Sequence, residues 1–363
     1  MKNWRLIELC LEITDLCPLN CRYCSGNCGS QSYVFMPLNR IKKIVQDFRE
    51  LSGEILEVSG GEPLVHPDIL EIVEFATQSG IMPILYTSGN MFDASGRLQA
   101  IDYYFAKKLY SKGLRRVVFN LQGSMPYLHD NLTCTQGSYY NTLRSIKTMK
   151  SLGFWVGVHF VPTKLNYSNL EKVHSLCHQL MIDELGILRF VPQGRGYQNR
   201  KELELSNREF EMMTAKLTSL TLQRNNPCIR VGRPIDFRFL CNPCFGKAKC
   251  DAGLSRCLIT PHGHVAPCPA FKQAIEFQMG NVYNESLVDI WKKSRWDIIR
   301  YFDYTQLDEP CRRCEYLHKC KGGCIAQRVW TYGDMYAGPD PACFKSSVQL
   351  TAVCPLKTKP QKE

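Results

Sequence analysis

Four cysteines fall within twelve residues near the start of the chain, in the stretch CPLNCRYCSGNC. Cys17, Cys21 and Cys24 have the spacing C-x3-C-x2-C, and Tyr23 directly precedes the last of them. Three thiolates can hold three irons of a cubane cluster and leave the fourth iron open, as a catalytic metal centre requires. The alternatives are a zinc site completed by Cys28 or a group of buried free thiols. We favour the cluster, with Cys28 as a loop thiol beside it.

A second motif follows about 36 residues later, in the stretch SGGEPLVHP. Gly60 and Gly61 come directly after a short predicted strand, EILEVS, and glycine permits close approach that a side chain would block. Taken alone, this is an ordinary turn between a strand and a helix. Its position after the cysteine motif makes a binding role the better interpretation.

The C-x3-C-x2-C spacing, the aromatic residue and the glycine pair together resemble the signature of the radical S-adenosylmethionine (SAM) superfamily. The resemblance implies that Cys17, Cys21 and Cys24 hold a [4Fe–4S] cluster whose open iron chelates the amino and carboxylate groups of SAM. An electron from the cluster then splits SAM, and the resulting 5′-deoxyadenosyl radical abstracts hydrogen from a substrate. These three cysteines are therefore the predicted catalytic and metal-binding residues.

The same resemblance assigns cofactor contacts to the ends of several strands. GGE suggests a contact to the SAM amino group, TSGN stands where relatives carry a TNG-like strand end, and FNLQG has Gln122 in place of the usual aspartate. In PQGRG, Arg195 is expected to pair with a carboxylate of SAM or of the substrate, with an ordinary surface arginine as the alternative. The predicted cofactor-binding residues are Tyr23, Gly60, Gly61, Glu62, Ser88, Asn90, Gln122 and Arg195.

Apolar periodicity predicts how these motifs are positioned. Six strands alternate with helices through the first half of the chain, which is typical of a parallel sheet covered by helices. Right-handed crossovers would curl these units into a partial (β/α)6 TIM-like barrel, so the fold class is α/β. In such barrels the site lies at the carboxyl ends of the strands, where all the motifs fall. The third helix is predicted over residues 97–113 and a helical linker over 196–230.

Eleven of the nineteen cysteines lie between Cys228 and Cys343, in a part of the chain with weak helical periodicity. Their spacing resembles the SPASM domain, an extension of radical SAM enzymes that usually holds two auxiliary [4Fe–4S] clusters. The resemblance implies two interleaved ligand sets and therefore three clusters in all. One set is Cys250, Cys257, Cys268 and Cys324, and the other is Cys311, Cys314, Cys320 and Cys343. Both clusters would be fully ligated by thiolates and would relay electrons and stabilise a cysteine-rich domain.

Several residues keep open assignments. Cys241 or Cys244 could replace Cys257 as a ligand, because CNPCFGKAKC imitates the later motif. Cys134 is interpreted as a free loop cysteine, with a hydrogen-donor role as the alternative. His159 lies within a predicted strand and is held as a candidate substrate contact.

Composition and charge limit the cellular location and the partners that we expect for this protein. No run of 18 apolar residues and no signal peptide is present, so we expect a cytoplasmic protein without a membrane span. The formal charge of +11 suits an acidic peptide, whereas the lack of long basic runs argues against nucleic acid. The predicted domains are the barrel (1–195), the linker (196–230), the SPASM domain (231–348) and a tail (349–363).

Relatives with a SPASM domain commonly modify peptides, so the leading hypothesis is a peptide or protein maturase that makes a crosslink, an oxidation or an epimerisation. Modification of a small metabolite such as a tetrapyrrole or sugar is the alternative. The spacing is close to that of anaerobic sulfatase maturases, but Pro269 stands where their catalytic aspartate would be. The sixteen residues before Cys17 leave no room for a leader-binding domain, so a separate protein could present the peptide. Flavodoxin or ferredoxin is the expected reductant.

Overall fold

The computed structural model describes residues 4–31, 33–223, 227–232, 236–242, 244–245 and 250–345. Its strands are β1 (Glu8–Glu12), β2 (Ile55–Ser59), β3 (Met82–Thr87), β4 (Asn90–Phe92), β5 (Leu98–Ala100), β6 (Arg116–Asn120), β7 (Trp155–Phe160), β8 (Glu184–Ile187), β9 (Cys228–Val231), β10 (Arg256–Ile259), β11 (His264–Ala266) and β12 (Gly280–Asn281). The predicted tail (349–363) and Cys354 lie outside the described residues.

Ten of these strands form one sheet in the order β12-β11-β10-β1-β2-β3-β6-β7-β8-β9. Every pairing from β10 across to β9 is parallel, and β11 and β12 are antiparallel additions at one end. The predicted mostly parallel α/β fold is confirmed, and the sheet stays open, because its end strands β12 and β9 do not pair with each other. Since β10 pairs with β1, the cysteine-rich half continues the sheet of the first half.

The longer helices pack against this sheet and bury one apolar face each. The helices of the described residues are α1 (Leu38–Glu50), α2 (Ile69–Gln78), α3 (Tyr103–Ser111), α4 (Pro126–Thr133), α5 (Ser138–Ser151), α6 (Leu170–Gln179), α7 (Arg195–Gln198), α8 (Arg200–Leu203), α9 (Asn207–Leu222), α10 (Leu287–Lys292), α11 (Asp297–Arg300), α12 (Leu317–Cys320) and α13 (Ile325–Tyr332). In α1, Ile41, Ile44, Val45 and Phe48 are buried, as their spacing predicts. None of the described helices combines the length and hydropathy needed to cross a membrane.

The structure departs from the sequence prediction in three places. Residues 98–100 form β5, which pairs with β4, and the third helix begins only at Tyr103, where the Asp102 side chain caps it. Residues 126–133 form α4, which was not predicted. The end of the predicted helical linker forms β9, which extends the parallel sheet beside β8. In the second and third cases, short segments take their structure from neighbouring elements that the local pattern does not reveal.

Candidate active site

A cavity of about 400 Å³ opens at the carboxyl ends of the parallel strands. Glu12, Ser59 and Asn120, each the last residue of its strand, lie on its wall together with cysteines from both halves of the chain. This agrees with the expectation that a site in a parallel α/β sheet forms where the strands end. The cavity is therefore the candidate active site.

Cys17, Cys21 and Cys24 all line this cavity. Their loop is held by an antiparallel bridge between Thr14 and Phe35 and by a hydrogen bond from the Cys17 amide to the Gly29 carbonyl (3.0 Å). The loop thus presents three thiols to one enclosed space, as the sequence motif predicts.

The protonation of these thiols depends on their surroundings. Burial raises the pKa of Cys21 to about 12, although the Tyr23 hydroxyl donates a hydrogen bond to its sulfur. The Cys28 thiol donates to the Cys24 sulfur and lowers the pKa of Cys24. A buried thiolate needs a nearby positive charge, and a bound metal supplies one, so this donor set fits an iron–sulfur cluster.

Gly60 and Gly61 pack directly against the cysteine loop. The Gly61 amide donates to the Thr14 carbonyl (2.7 Å), and a Cβ on Gly61 would lie 2.3 Å from the Leu16 carbonyl oxygen. A Cβ on Gly60, whose φ is +145°, would meet the Thr14 oxygen at the same distance. Only glycine lets the end of β2 approach the loop this closely, and both residues lie on the cavity wall.

Glu62 has a different position from the one expected. Its carboxylate is fully buried and accepts hydrogen bonds from the Thr87 hydroxyl (2.6 Å), from the Ser88 hydroxyl and amide (2.6 and 2.8 Å) and from the Leu64 amide (3.2 Å). It is absent from the cavity wall, so the expected contact with SAM has no support here. Glu62 instead joins the ends of β2 and β3, which places Ser88 on the wall.

Asn90 and Gln122 are also turned away from the cavity. The Asn90 side-chain amide donates to the Ser88 carbonyl (3.0 Å) and to Thr142, and the Gln122 side-chain oxygen accepts from the Val161 amide (2.9 Å). Both side chains are fully buried. Hydrogen bonds to neighbouring segments engage the Gln122 side chain and the Asn90 side-chain nitrogen, whereas the buried Asn90 Oδ1 has no hydrogen-bond partner among the described residues, and the predicted cofactor contacts stay predictions.

Arg195 lies on the cavity wall and clamps the cysteine loop. Its Nε donates to the Cys21 carbonyl (2.9 Å) and its Nη2 to the Cys28 carbonyl (2.7 Å). Nearby, the Gln193 side chain joins the other half of the chain, because it donates to the Pro269 carbonyl (3.1 Å) and accepts from the Gln273 amide (3.0 Å). The segment after β8 therefore connects the first cysteine loop to the cysteine-rich half.

The cysteines of the second half form two groups. Burial and the neighbouring Asp340, Cys268 and Cys250 raise the pKa of Cys324, and these three cysteines line the cavity. Burial raises the pKa of Cys320 and of Cys343, and both lie close enough to Cys311 and Cys314 for these two thiols to raise the pKa further. The structure thus brings together three members of the first predicted set and all four of the second.

Cys257 does not join its predicted set. It is fully buried in the hydrophobic core, lies outside the cavity wall, and the charged groups that affect its pKa are Arg256 and Arg300, with no thiol among them. The reason is strand alternation, because Arg256 points into the cavity and the next residue of β10 must point the other way. The assignment of Cys257 as a ligand is therefore not supported.

The two cysteines that could replace Cys257 as a ligand also lie away from the cavity. Cys241 and Cys244 are exposed, and neither lines the cavity. Cys134 is exposed at the end of α4 and is also absent from the wall, which leaves the hydrogen-donor role without geometric support.

His159 does reach the cavity. Its Nε2 lies 3.3 Å from Arg230 Nη2, and Gly186 on the next strand provides the space, since a Cβ there would lie 2.6 Å from the imidazole ring. Burial lowers the pKa of His159 to about 3, so the ring is neutral at neutral pH.

The sequence analysis missed most of the charged groups in the wall. Lys272 forms a buried ion pair with Glu12 (2.6 Å). Tyr86 donates to Glu57 (2.7 Å), and Glu57 also pairs with Arg256. Strand alternation could have placed Glu12, Glu57 and Tyr86 on the inward face, but no sequence motif indicates Lys272 or Arg256.

His129 provides a pH-dependent prediction beside this site. It is almost fully buried, its Nδ1 accepts from the Gln122 amide (3.1 Å), and burial lowers its pKa to about 4. In the unfolded chain His129 takes up a proton near pH 6.5, whereas in the folded chain it stays neutral until the pH approaches 4. The free energy of unfolding therefore falls as the pH decreases from 6.5 towards 4. Urea unfolding at pH 7.5 and 5.5 should show a decrease that is about 1 kcal/mol smaller in His129→Gln than in the wild type. An equal decrease in both proteins would contradict this assignment.

Two family models match the sequence of this chain. The model of the Radical SAM superfamily matches residues 11–179, and that of SPASM, an iron–sulfur cluster-binding domain, matches residues 250–315. The chain is 26% identical over 349 residues to PqqA peptide cyclase of Gluconobacter oxydans, covering 94% of this chain and 91% of that protein. It is 23% identical over 348 residues to an AdoMet-dependent heme synthase of Oleidesulfovibrio alaskensis, covering 92% and 85%.

Solved structures show the same fold. Streptococcus suis SuiB bound to S-adenosylmethionine aligns with a TM-score of 0.73 at 18% identity, covering 94% of this chain and 77% of SuiB. The protein anSMEcpe with bound AdoMet and Cp18Cys peptide aligns with a TM-score of 0.71 at 18% identity, covering 93% of each chain.

Proposed function

We propose that this chain, which combines a radical SAM domain with a C-terminal SPASM domain, is an enzyme that cleaves SAM reductively and abstracts hydrogen from a peptide or protein substrate. The observation that carries this proposal is the shared cavity. Cys17, Cys21 and Cys24 open into the same space as Cys250, Cys268 and Cys324. A substrate bound there would contact both the site of radical formation and an electron acceptor.

The cofactors follow from the two domains. Radical SAM chemistry requires SAM and a [4Fe–4S] cluster, and SPASM domains bind further iron–sulfur clusters. We propose three clusters in this chain, one at the first cysteine loop and two auxiliary ones. The inner auxiliary cluster would use Cys250, Cys268 and Cys324, and the outer one Cys311, Cys314, Cys320 and Cys343.

The chain's own residues would orient SAM and keep it apart from water. Gly60, Gly61 and Ser88 supply wall surface at the ends of β2 and β3, and Tyr23 of the cysteine loop lines the cavity and packs against a small apolar cluster that includes Leu132 and Phe190. Arg195 fixes two carbonyls of that loop and so holds the thiols in place. The bound cluster would supply the electron that cleaves SAM.

The peptide substrate is supported by the similarity to a peptide cyclase and by the fold shared with SuiB, which was also solved with its precursor peptide SuiA. The similarity to heme synthases, also seen for Methanosarcina barkeri at 24% identity over 350 residues, favours a tetrapyrrole as the second candidate. A flavodoxin or ferredoxin as reductant, and a separate protein that presents the peptide, complete the proposal.

Anaerobic reconstitution with iron and sulfide tests the enzyme assignment. After reduction, the protein with SAM should produce 5′-deoxyadenosine, and absence of this product from iron-loaded protein would overturn the proposal. Deuterated candidate peptides and a deuterated iron porphyrin precursor should then be compared. Transfer of deuterium from the peptide to 5′-deoxyadenosine supports the leading function. Transfer from the porphyrin, with none from any peptide, supports the second candidate.

A further inference from the structure

A buried ion pair joins the two halves of the chain beside the first cysteine loop. Lys272 Nζ donates to Glu12 Oε1 (2.6 Å), and the two side chains are only 10% and 9% exposed. Glu12 ends β1, Lys272 stands four residues after Cys268, and both line the cavity. Replacing a buried ion pair by well-packed apolar residues is often neutral or stabilising. The pair therefore calls for a role besides stability.

The backbone on both sides of Lys272 is fixed. On one side, Trp330 Nε1 donates to the Ala270 carbonyl (2.8 Å). On the other, the Gln273 side chain accepts a hydrogen bond from the Gly194 amide (3.0 Å), in the segment that follows β8. The Lys272 ammonium is thus held at one point of the cavity wall, where its charge acts on the same neighbours all the time.

The ammonium is the end of the pair that faces the first cysteine loop. A Cβ on Gly26, two residues after Cys24, would lie 3.4 Å from Lys272 Nζ. Cys24 and burial raise the pKa of Cys28. Within the ion pair, Lys272 acts on that thiol more strongly than Glu12 does. Although burial disfavours its charge, Glu12 and then Cys28 raise the pKa of Lys272, so it stays positively charged at neutral pH.

Arg195 also places a positive charge beside this loop, but in a different way. Its hydrogen bonds to the Cys21 and Cys28 carbonyls fix the loop, so its loss would move the thiols as well as remove a charge. Among the described residues, the Lys272 ammonium donates to Glu12 and not to the cysteine loop. Lys272 therefore acts on the loop through its charge, without holding it in place.

We propose that Lys272 makes the first cluster easier to reduce, so that the second half of the chain sets the potential at which SAM cleavage can begin. This inference rests on the proposed function and adds a regulator of its first step. One electron from the flavodoxin or ferredoxin reduces the cluster and adds one negative charge to it. A fixed cation in a water-poor site stabilises that added charge, and the charge around a cluster is among the factors that set its potential. Lys272 acts through the cluster and is not a catalytic residue.

Redox titration of the reconstituted protein, followed by electron paramagnetic resonance, tests the proposal. The first cluster is identified as the signal that changes when SAM is added. Lys272→Met should lower its midpoint potential. Glu12→Gln should raise it, because this change removes the negative charge that offsets the ammonium. The double variant should lie between the wild type and Lys272→Met, and Lys272→Arg, which keeps the charge, should stay closest to the wild type.

The opposite directions separate an effect of charge from a structural disturbance, which would not raise the potential in one variant and lower it in the other. Lys272→Met leaves the Glu12 carboxylate buried without its partner, which costs stability. Glu12→Gln keeps the shape of the side chain and an oxygen that accepts from Lys272, so it carries the test if Lys272→Met does not fold. A midpoint potential that is unchanged or lowered in folded Glu12→Gln overturns the inference.

Lys293→Met is the matched control. Lys293 pairs with Glu285 (2.5 Å) in the second half of the chain, and neither residue lines the cavity. This variant also breaks a Lys–Glu ion pair, but it should leave the midpoint potential of the first cluster unchanged. If Lys293→Met lowered that potential as much as Lys272→Met, the position of Lys272 would not be the cause and the inference would fail.

These outcomes are separate from failure of the proposed function. Protein that assembles no cluster at the first loop, or that produces no 5′-deoxyadenosine, contradicts the enzyme assignment. Protein that assembles the cluster and cleaves SAM, but has the same midpoint potential in Lys272→Met, Glu12→Gln and the wild type, contradicts the role of Lys272 alone.

Discussion

We expect Cys21→Ala to abolish the formation of 5′-deoxyadenosine, reducing it to the level of a reaction without enzyme. Cys21 is the middle thiol of the first loop, and its replacement leaves two of the three thiols that line this part of the cavity. Under the proposed function, a cluster with only two protein thiolates would not be retained at this loop, and SAM would lose the iron that it is proposed to bind. The measurement is chromatographic detection of 5′-deoxyadenosine after anaerobic reconstitution and reduction.

Cys134→Ala is the matched control for this prediction. Cys134 lies close enough to Cys21 to affect its pKa, but its side chain is exposed and lies outside the cavity wall. This variant should keep SAM cleavage within about twofold of the wild type, because it removes no group that faces the cofactor. Cleavage that survives in Cys21→Ala, or that disappears equally in both variants, would contradict the assignment of the first cluster.

We expect Gly61→Ala to destabilise the folded protein by about 3 kcal/mol and to prevent the proposed first cluster from assembling. The new Cβ would lie 2.3 Å from the Leu16 carbonyl oxygen and under 3 Å from two further backbone carbons. Backbone atoms cannot move aside as a flexible side chain can, so the cysteine loop must separate from β2, and overpacking of this kind commonly costs 1–3 kcal/mol. Urea unfolding measures the stability, and iron analysis measures the cluster.

Gly29→Ala separates this effect from a general sensitivity of the loop to alanine. Gly29 lies in the same loop, pairs with Leu16 and has no atom within 4 Å of the position of a Cβ. Its substitution should leave stability within about 1 kcal/mol of the wild type, since alanine also restricts the unfolded chain. If Gly29→Ala lost as much stability and iron as Gly61→Ala, the close contact at Gly61 would not be the cause.

Local pattern was sufficient for much of the architecture. The apolar spacing of residues 38–50 predicted α1 and its buried face, and the alternation of strands and helices predicted the parallel sheet. Local pattern was insufficient for β9 and for the pairing of β10 with β1, which join residues far apart in the chain. Such pairings depend on which edges remain free after the rest of the sheet has formed.

The candidate site also combines features that the local sequence predicts with features that depend on the tertiary structure. Motif spacing placed Cys17, Cys21 and Cys24 in one loop, and all three line the cavity, because the six positions between Cys17 and Cys24 cannot separate them far. For Glu62, Asn90 and Gln122 the cofactor contacts stay predictions, and the side chains form hydrogen bonds to neighbouring segments of the protein. A motif predicts the residue type and the strand end at which it lies. It does not predict whether the side chain of that residue faces the cavity or the interior of the protein.

By itself, the sequence determined the chemistry available to this protein, namely three clustered thiols, a glycine pair and a second set of cysteines in a fixed order. Tertiary structure alone decided which of those thiols share a cavity. Cys257 has the spacing of a ligand, yet the alternation of β10 turns it into the core while Arg256 faces the cavity. The physical reason is that a strand has two faces, and pairing with β1 fixes which one is turned inward.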